Sequence, residues 1–193
     1  MPVWSIILLV VLAIVLIVII AIWSTYNGLV KLDERVNEAW SDITVQLKRR
    51  TDLIPNLVEV VKGYAKHEND AIKAVSDARA KMMGARTVEG SAEADKSLTG
   101  VLSRLMAVSE SYPELKANTN FQQLSSELAD TEDKIQAARR FYNAGAKELN
   151  TKIKMFPSNV INNLVGHFEK REYYDVAEDE KGKIENAPEV KFN

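Results

Sequence analysis

What this sequence offers to chemistry is two histidines and an abundance of carboxylates, since it contains no cysteine. Without a thiol there is no cysteine nucleophile, thiolate metal site or disulfide, and the redox compartment cannot be read. A carboxylate-bridged metal centre in a helical bundle needs Glu-x-x-His pairs on facing helices. The residues three before His67 and His167 are Tyr64 and Leu164, so neither histidine completes such a pair. His67-Glu68 begins like the zinc-binding His-Glu-x-x-His, but Ala71 stands where the second histidine is required. No phosphate-cradling glycine loop and no Gly-x-Ser-x-Gly nucleophile elbow occurs. Both histidines sit in polar helical positions, which disfavours a Ser-His-Asp triad. The sequence thus predicts no catalytic residue, no metal site and no cofactor, with His67 facing solvent beside Lys66.

The remaining polar candidates interrupt apolar stripes. Asn56 and Glu59 lie close to the inner face of a predicted helix, and Arg49, Arg50 and Asp52 sit at its start. Glu127, Thr131, Glu132, Arg139, Asn143 and Asn150 flank the stripe of a later one, with Tyr142 in it. Such groups can line a ligand pocket. More often they form hydrogen-bonded pairs that fix helix register and close bundle ends, and that is the reading adopted. Replacing Arg139 by Ala is accordingly expected to destabilise the bundle. The run Lys48-Arg49-Arg50 can meet anionic headgroups only on a bent stalk, because a straight helix would hold it about 40 Å from the bilayer. Pairing with Asp52 or with carboxylates of the later helix is the expected role.

The elements that position these groups begin with Val3–Trp23, reading VWSIILLVVLAIVLIVIIAIW. From Ile6 to Ile22 every side chain is apolar. The stretch meets the roughly 20 residues a bilayer core requires. Trp4 and Trp23 stand at its ends, where amphipathic aromatics prefer the water–lipid boundary. A cleaved signal peptide would need a basic n-region and a small-residue cut site, yet no Lys or Arg precedes Lys31 and the run exits through Ile-Trp-Ser-Thr-Tyr. An uncleaved anchor over residues 1–25 is therefore expected. It has no glycine, hence no GxxxG face. Lys31 and Arg35 follow the span, which predicts a short N-terminus outside and the following domain in the cytoplasm.

Beyond the anchor the periodicity is helical throughout. Leu29, Leu32, Val36, Trp40, Ile43 and Leu47 step by three or four, so a stalk helix follows, with Gly28 as a kink point. Thr51 and Asp52 can cap and Pro55 suits a first turn, which predicts a corner at 51–55. A second helix carries Leu57, Val58, Val61, Tyr64, Ala65, Ile72, Val75, Ala78 and Met82 to about Gly84. Residues 84–94 read as a polar connection. A third helix spans about 94–110, and a fourth starts at Asn118 or Asn120. Its stripe runs from Phe121, Leu124 and Leu128 through Ile135, Ala138 and Tyr142 to Leu149, Ile153 and Phe156, until Pro157 stops it. Ser158 is read as cap of a short final helix with Val160, Ile161, Leu164 and Val165. Phe168, Tyr173 and Tyr174 are docking points of a polar acidic tail, 169–193, whose residues 177–193 read as disordered. No period-2 alternation appears. The fold class is all-α: a transmembrane helix, then an extended antiparallel bundle over 26–168. A formal net charge of −2 gives no basic field for nucleic acid.

The segments YNGLVKLDERVNEAWSDI, LKRRTDLIPNLVEVVKGYAKHE and YPELKANTNFQQLSSELADTEDKIQAARRFYNAGAKELNTKIKMFP carry a family resemblance. With the anchor before them, the chain resembles the LemA family along nearly its whole length. The sequence departs where Gly166-His167-Phe168 replaces a typical Gly-Phe pair, which bears on how the C-terminal segment docks. The resemblance implies a bacterial membrane-anchored helical bundle with its N-terminus outside, and it implies no activity and no catalytic residues. One branch is linked to magnetosome membranes, which hints at membrane organisation. The motif positions carried over are Arg50, Asp52, Pro55 and Asn56, with Glu127, Glu132, Arg139, Tyr142, Asn143 and Asn150. The expected function is a non-enzymatic scaffold in the bilayer, a homo-oligomer that organises or shapes membrane. An adaptor for another membrane protein, or a small-ligand sensor, is the alternative.

Overall fold

The computed structural model describes residues 3–65 and 67–174. The predicted disordered stretch 177–193 lies outside them, as does Lys66. Among the described residues six α-helices follow one another: α1 (Val3–Tyr64), α2 (Asn69–Gly84), α3 (Val88–Ser109), α4 (Pro113–Ala117), α5 (Thr119–Lys154) and α6 (Ser158–Ile161). A π-helical turn, Asn162–Gly166, follows α6, and no strand occurs among the described residues. The all-α expectation holds.

The described residues fall into two compact units, one drawn from Met1–Trp40 with Phe141–Arg171 and the other from Ser41–Arg140 with Glu172–Asn193. Helices α1 and α5 contribute to both.

In the first unit the apolar residues of α1 change partner along the chain. Val3, Trp4, Ile6, Ile22 and Trp23 are all exposed, whereas Leu29, Leu32 and Val36 are buried. An apolar stretch of this length that no protein packs against is a candidate membrane span. Above it, α5 pairs antiparallel with α1. The rings of Trp40 and Tyr142 stand 5.8 Å apart. Arg35 meets Glu148 at 3.4 Å. Gly145 lets Val36 approach, since a Cβ there would sit 3.3 Å from Val36 Cγ2. The C-terminal segment is pinned by two amide clamps. Asn150 donates to the Arg171 carbonyl and accepts from the Arg171 N–H, both at 2.8 Å. Asn162 holds Phe168 in the same way, at 3.0 and 2.9 Å. His167 takes a left-handed φ of 51°, a sparse region for a residue with a Cβ, and exposes its side chain. The next residue, Phe168, has its ring 5.9 Å from that of Tyr26.

In the second unit the corner expected at 51–55 is absent. Helix α1 runs through Pro55 to Tyr64. Thr51 does not cap; its hydroxyl donates to the Leu47 carbonyl at 2.7 Å. An interior proline removes one helical hydrogen bond and usually costs about 3 kcal/mol. Here Ile54, Leu57, Val58 and Val61 are buried on the continuing face and hold the helix together. The helix ends instead at Tyr64 and α2 begins at Asn69, a break of which periodicity alone gave no sign. Tyr112 donates to Glu68 at 3.1 Å and Asn118 to the Tyr64 hydroxyl at 3.0 Å, closing this end. The expected connection over 84–94 shrinks to 85–87, because Thr87 caps α3 by accepting from Gly90 N–H at 3.0 Å. Asn118 caps α5 through the Phe121 N–H at 3.0 Å, as one of the two predicted caps. In the first unit, by contrast, Ser158 makes no capping bond; Pro157 precedes α6.

Candidate functional site

The second unit buries a set of charges. Arg50 follows the buried Leu47 by three residues and precedes the buried Ile54 by four, so the core face of α1 carries it inward. Asp95 precedes the buried Leu98 on α3 by the same logic, and Glu132 precedes the buried Ile135 on α5. Arg50 Nη1 lies 2.8 Å from Asp95 Oδ1 and 2.7 Å from Glu132 Oε2. The first contact is a hydrogen bond; the second is an ion pair not aligned as one, and Arg50 Nε has no hydrogen-bond partner among the described residues. Tyr174 reaches the same place, fully buried, with its hydroxyl 3.4 Å from Asp95 Oδ2 and 3.3 Å from the Ser91 carbonyl. Arg139 stacks over the Tyr174 ring at 4.8 Å.

Two cations and two anions balance. Burial is the largest influence on Asp95 and raises its carboxyl above the ordinary 3.8, with Arg50 opposing. Burial, then the Asp95 charge, raises the Tyr174 phenol, so it stays protonated and serves as a donor. Beside the network lies an open cleft of about 370 Å³ lined by Asp95, Lys96, Thr99, Glu132, Gln136 and Arg139. Of its charged groups Asp95 and Glu132 are held by Arg50 and Arg139 lies over the Tyr174 ring, so the cleft is a polar groove. No cluster of His, Asp and Glu able to hold a metal ion occurs among the described residues.

The sequence-predicted residues divide accordingly. Arg50, Glu132 and Arg139 meet in the network. Arg49, Asp52, Pro55 and Asn56 are exposed on α1 and take no part, which corrects the placement of Asn56 near an inner face. Glu59 is exposed too, paired with Lys62 at 3.3 Å. Asp52 pairs with Lys48 at 2.9 Å, as the basic run suggested. Glu127 accepts from Gln123 at 3.1 Å along α5. Thr131 is buried and donates back to the Glu127 carbonyl at 2.7 Å. Tyr142 and Asn150 serve the first unit, as does the half-buried Asn143, and Pro157 is exposed there. Phe156, assigned to the α5 stripe, lies past the helix end and is exposed.

Sequence reasoning missed Asp95 and Ser91, because Gly84, Gly90 and the small residues between 84 and 94 resembled a loop. It also missed Arg171, whose Nη2 meets Asp33 at 2.8 Å and Asn37 at 3.0 Å. A carboxylate three residues before a core leucine was the available signal for Asp95. Nothing local signals a pairing across 138 positions.

A profile of the LemA family matches residues 39–192. Magnetosome protein MamQ 2 of Paramagnetospirillum magneticum is 28% identical over 199 residues, spanning 90% of this chain and 72% of that protein. Magnetosome protein MamQ of Magnetospirillum gryphiswaldense is 27% identical over 175 residues, spanning 77% of this chain and 64% of its own. Protein LemA of Metamycoplasma hominis is 28% identical over 162 residues, spanning 83% of this chain and 71% of its own. The family profile takes in most of the sequence, including the buried network and both amide clamps, and the chain belongs to the LemA family.

Proposed function

We propose that this protein is a non-enzymatic, membrane-anchored helical bundle that self-associates and thereby organises or shapes the membrane. The observation that carries the reading is the continuity of α1: one helix is apolar and exposed up to Trp23, then apolar and buried from Leu29. A span joined to a folded unit without a flexible link transmits any packing between bundles directly to the bilayer. The engaged state of the buried charges and the names of the magnetosome relatives support the same reading. The positive charges Lys31 and Arg35 just after the span support a bundle on the cytoplasmic side, and on that reading protease added outside intact cells should leave it uncut.

The test is the mass of the full-length protein in mild detergent, set against a chain beginning at Asn27. A large discrete homo-oligomer is expected. Its loss without the span would assign assembly to the membrane segment. A monomer in both cases would overturn self-assembly and leave an adaptor role, in which a different chain co-purifies.

A further inference from the structure

The first unit carries a second apolar surface besides the span. Met155, Phe156, Val160, Leu164 and Val165 are exposed, Phe156 to 81% and Leu164 to 72%. On the opposite face of the same segment Ser158, Ile161 and Asn162 are buried. The segment is therefore two-sided, with one side packed and one side apolar and bare.

Its height along α1 follows from the helix pairing. Trp40 faces Tyr142 and Arg35 faces Glu148, so α5 descends as α1 rises. The same register brings Lys154 level with about Gly28, which is about 7 Å beyond Trp23 at 1.5 Å per residue. Phe168 confirms this level from the other end of the segment by packing on Tyr26. The headgroup layer beyond a bilayer's hydrocarbon is roughly 5–8 Å deep on each side. Lys152 and Lys154, in the last turn of α5, are exposed and make no ion pair among the described residues. Apolar side chains below and free lysines above match a surface that sinks into the boundary between acyl chains and anionic headgroups.

We propose that residues 155–165 form an interfacial membrane foot, seated in the lipid headgroup region beside the span and fixing the bundle against the bilayer. The proposal rests on the reading of Val3–Trp23 as a membrane span. It goes beyond that reading by adding a second, non-spanning lipid contact.

The natural absence of cysteine allows one spin label at a time. The full-length variants Phe156→Cys, Leu164→Cys, Phe141→Cys and Leu12→Cys are labelled and reconstituted in vesicles of phosphatidylcholine and phosphatidylglycerol. All four side chains are exposed, so the fold tolerates the label. Phe141 is an equally apolar control on the same unit, about 27 Å above Trp23 by its pairing level. The expected result is several-fold lower collision with a water-soluble nickel chelate at 156 and 164 than at 141, with oxygen collision raised. Water accessibility at 156 and 164 equal to that at 141, with Leu12 protected, overturns the foot and leaves the span intact. Water accessibility at Leu12 overturns both. Protection at 156 and 164 that disappears on dilution into excess lipid means that a second copy covers the patch, and it also overturns the proposal.

Discussion

Arg79 Nε donates to the Thr51 carbonyl at 3.1 Å, and that carbonyl is the one Pro55 leaves without a helical donor. In an α-helix the N–H of residue 55 would bond the carbonyl of residue 51, and proline has no N–H. Thr51 is buried and the bond itself is partly buried, so the carbonyl relies on Arg79 more than on solvent. Arg79→Met should therefore destabilise the protein by about 1–3 kcal/mol, the usual penalty of a buried unsatisfied acceptor. In a Pro55→Ala background the helix supplies its own donor, and the same change should cost markedly less. Thermal unfolding of the four chains in mild detergent gives the coupling. Equal losses in both backgrounds would show that Arg79 matters for some other reason.

Arg50 is the sole cation bonded to both Asp95 and Glu132 among the described ion pairs. Arg50→Met leaves a buried carboxylate beside a partly buried one, and removing one partner of a buried pair typically costs about 3–5 kcal/mol. The variant should melt far lower, or fail to accumulate. The triple change of Arg50, Asp95 and Glu132 to apolar residues of similar volume should recover much of the loss. No recovery would mean that the network does more than balance its own charges.

How much of this was legible in the sequence depends on the range of the interaction. The long apolar N-terminal helix, the α5 stripe short of Phe156 and the Asn118 cap follow from local periodicity and side-chain chemistry, and they are present in the fold. Pro55 misled because its cost is local whereas its compensation by Arg79 lies 28 residues away. Gly90 misled because a helix closed by Thr87 and buried at Ala92, Ala94 and Asp95 tolerates a glycine that would weaken an isolated one. Of the network, Glu132 and Arg139 stood out as charges flanking an apolar stripe, and Arg50 as a charge beside the expected corner. Tyr174 was legible as a docking point of the tail, and it is buried, but its partners and Asp95 became visible only once α3 and the C-terminal segment were in place.

Asp95 also sets a pH dependence. Its folded-state pKa is raised above the ordinary 3.8, chiefly by burial. The folded state therefore holds a proton that the unfolded state releases, and the stability this provides is complete below 3.8 and lost as pH rises through the folded value. The stability of the natural chain relative to Asp95→Asn should fall as pH rises through the range just above 3.8. Denaturant unfolding at a series of pH values measures the difference. A difference that grows with pH would mean that Arg50, which lowers this pKa, outweighs burial.

Asn150 makes two bonds to the backbone of Arg171, and a side chain that can both donate and accept is required for the pair. Asn150→Leu keeps the volume and loses both bonds. Amides from Gly166 to Glu172 should then exchange with solvent faster, whereas the α5 amides around Ile135, buried in the other unit, should keep their protection. Hydrogen exchange read by mass spectrometry resolves the two regions. Uniform loss of protection in both would show that the clamp supports the whole fold rather than the C-terminal segment.

Arg139 is only partly buried, and its contact is with a ring rather than a carboxylate: 4.8 Å from its guanidinium carbon to the centre of Tyr174. Cation–π contacts contribute about 0.5–2 kcal/mol depending on how dry the site is. Arg139→Ala should lose a stability in that range, well short of the loss at Arg50. Arg139→Lys keeps the charge but not the planar stack, and its stability should fall between those of the natural chain and Arg139→Ala. Tyr174→Leu removes the ring and with it the difference between Arg and Lys at 139. If Lys remained distinctly worse than Arg in the Tyr174→Leu chain, the guanidinium would be acting on the carboxylates of the cleft, and the polar groove between α3 and α5 would become the place to look for a ligand.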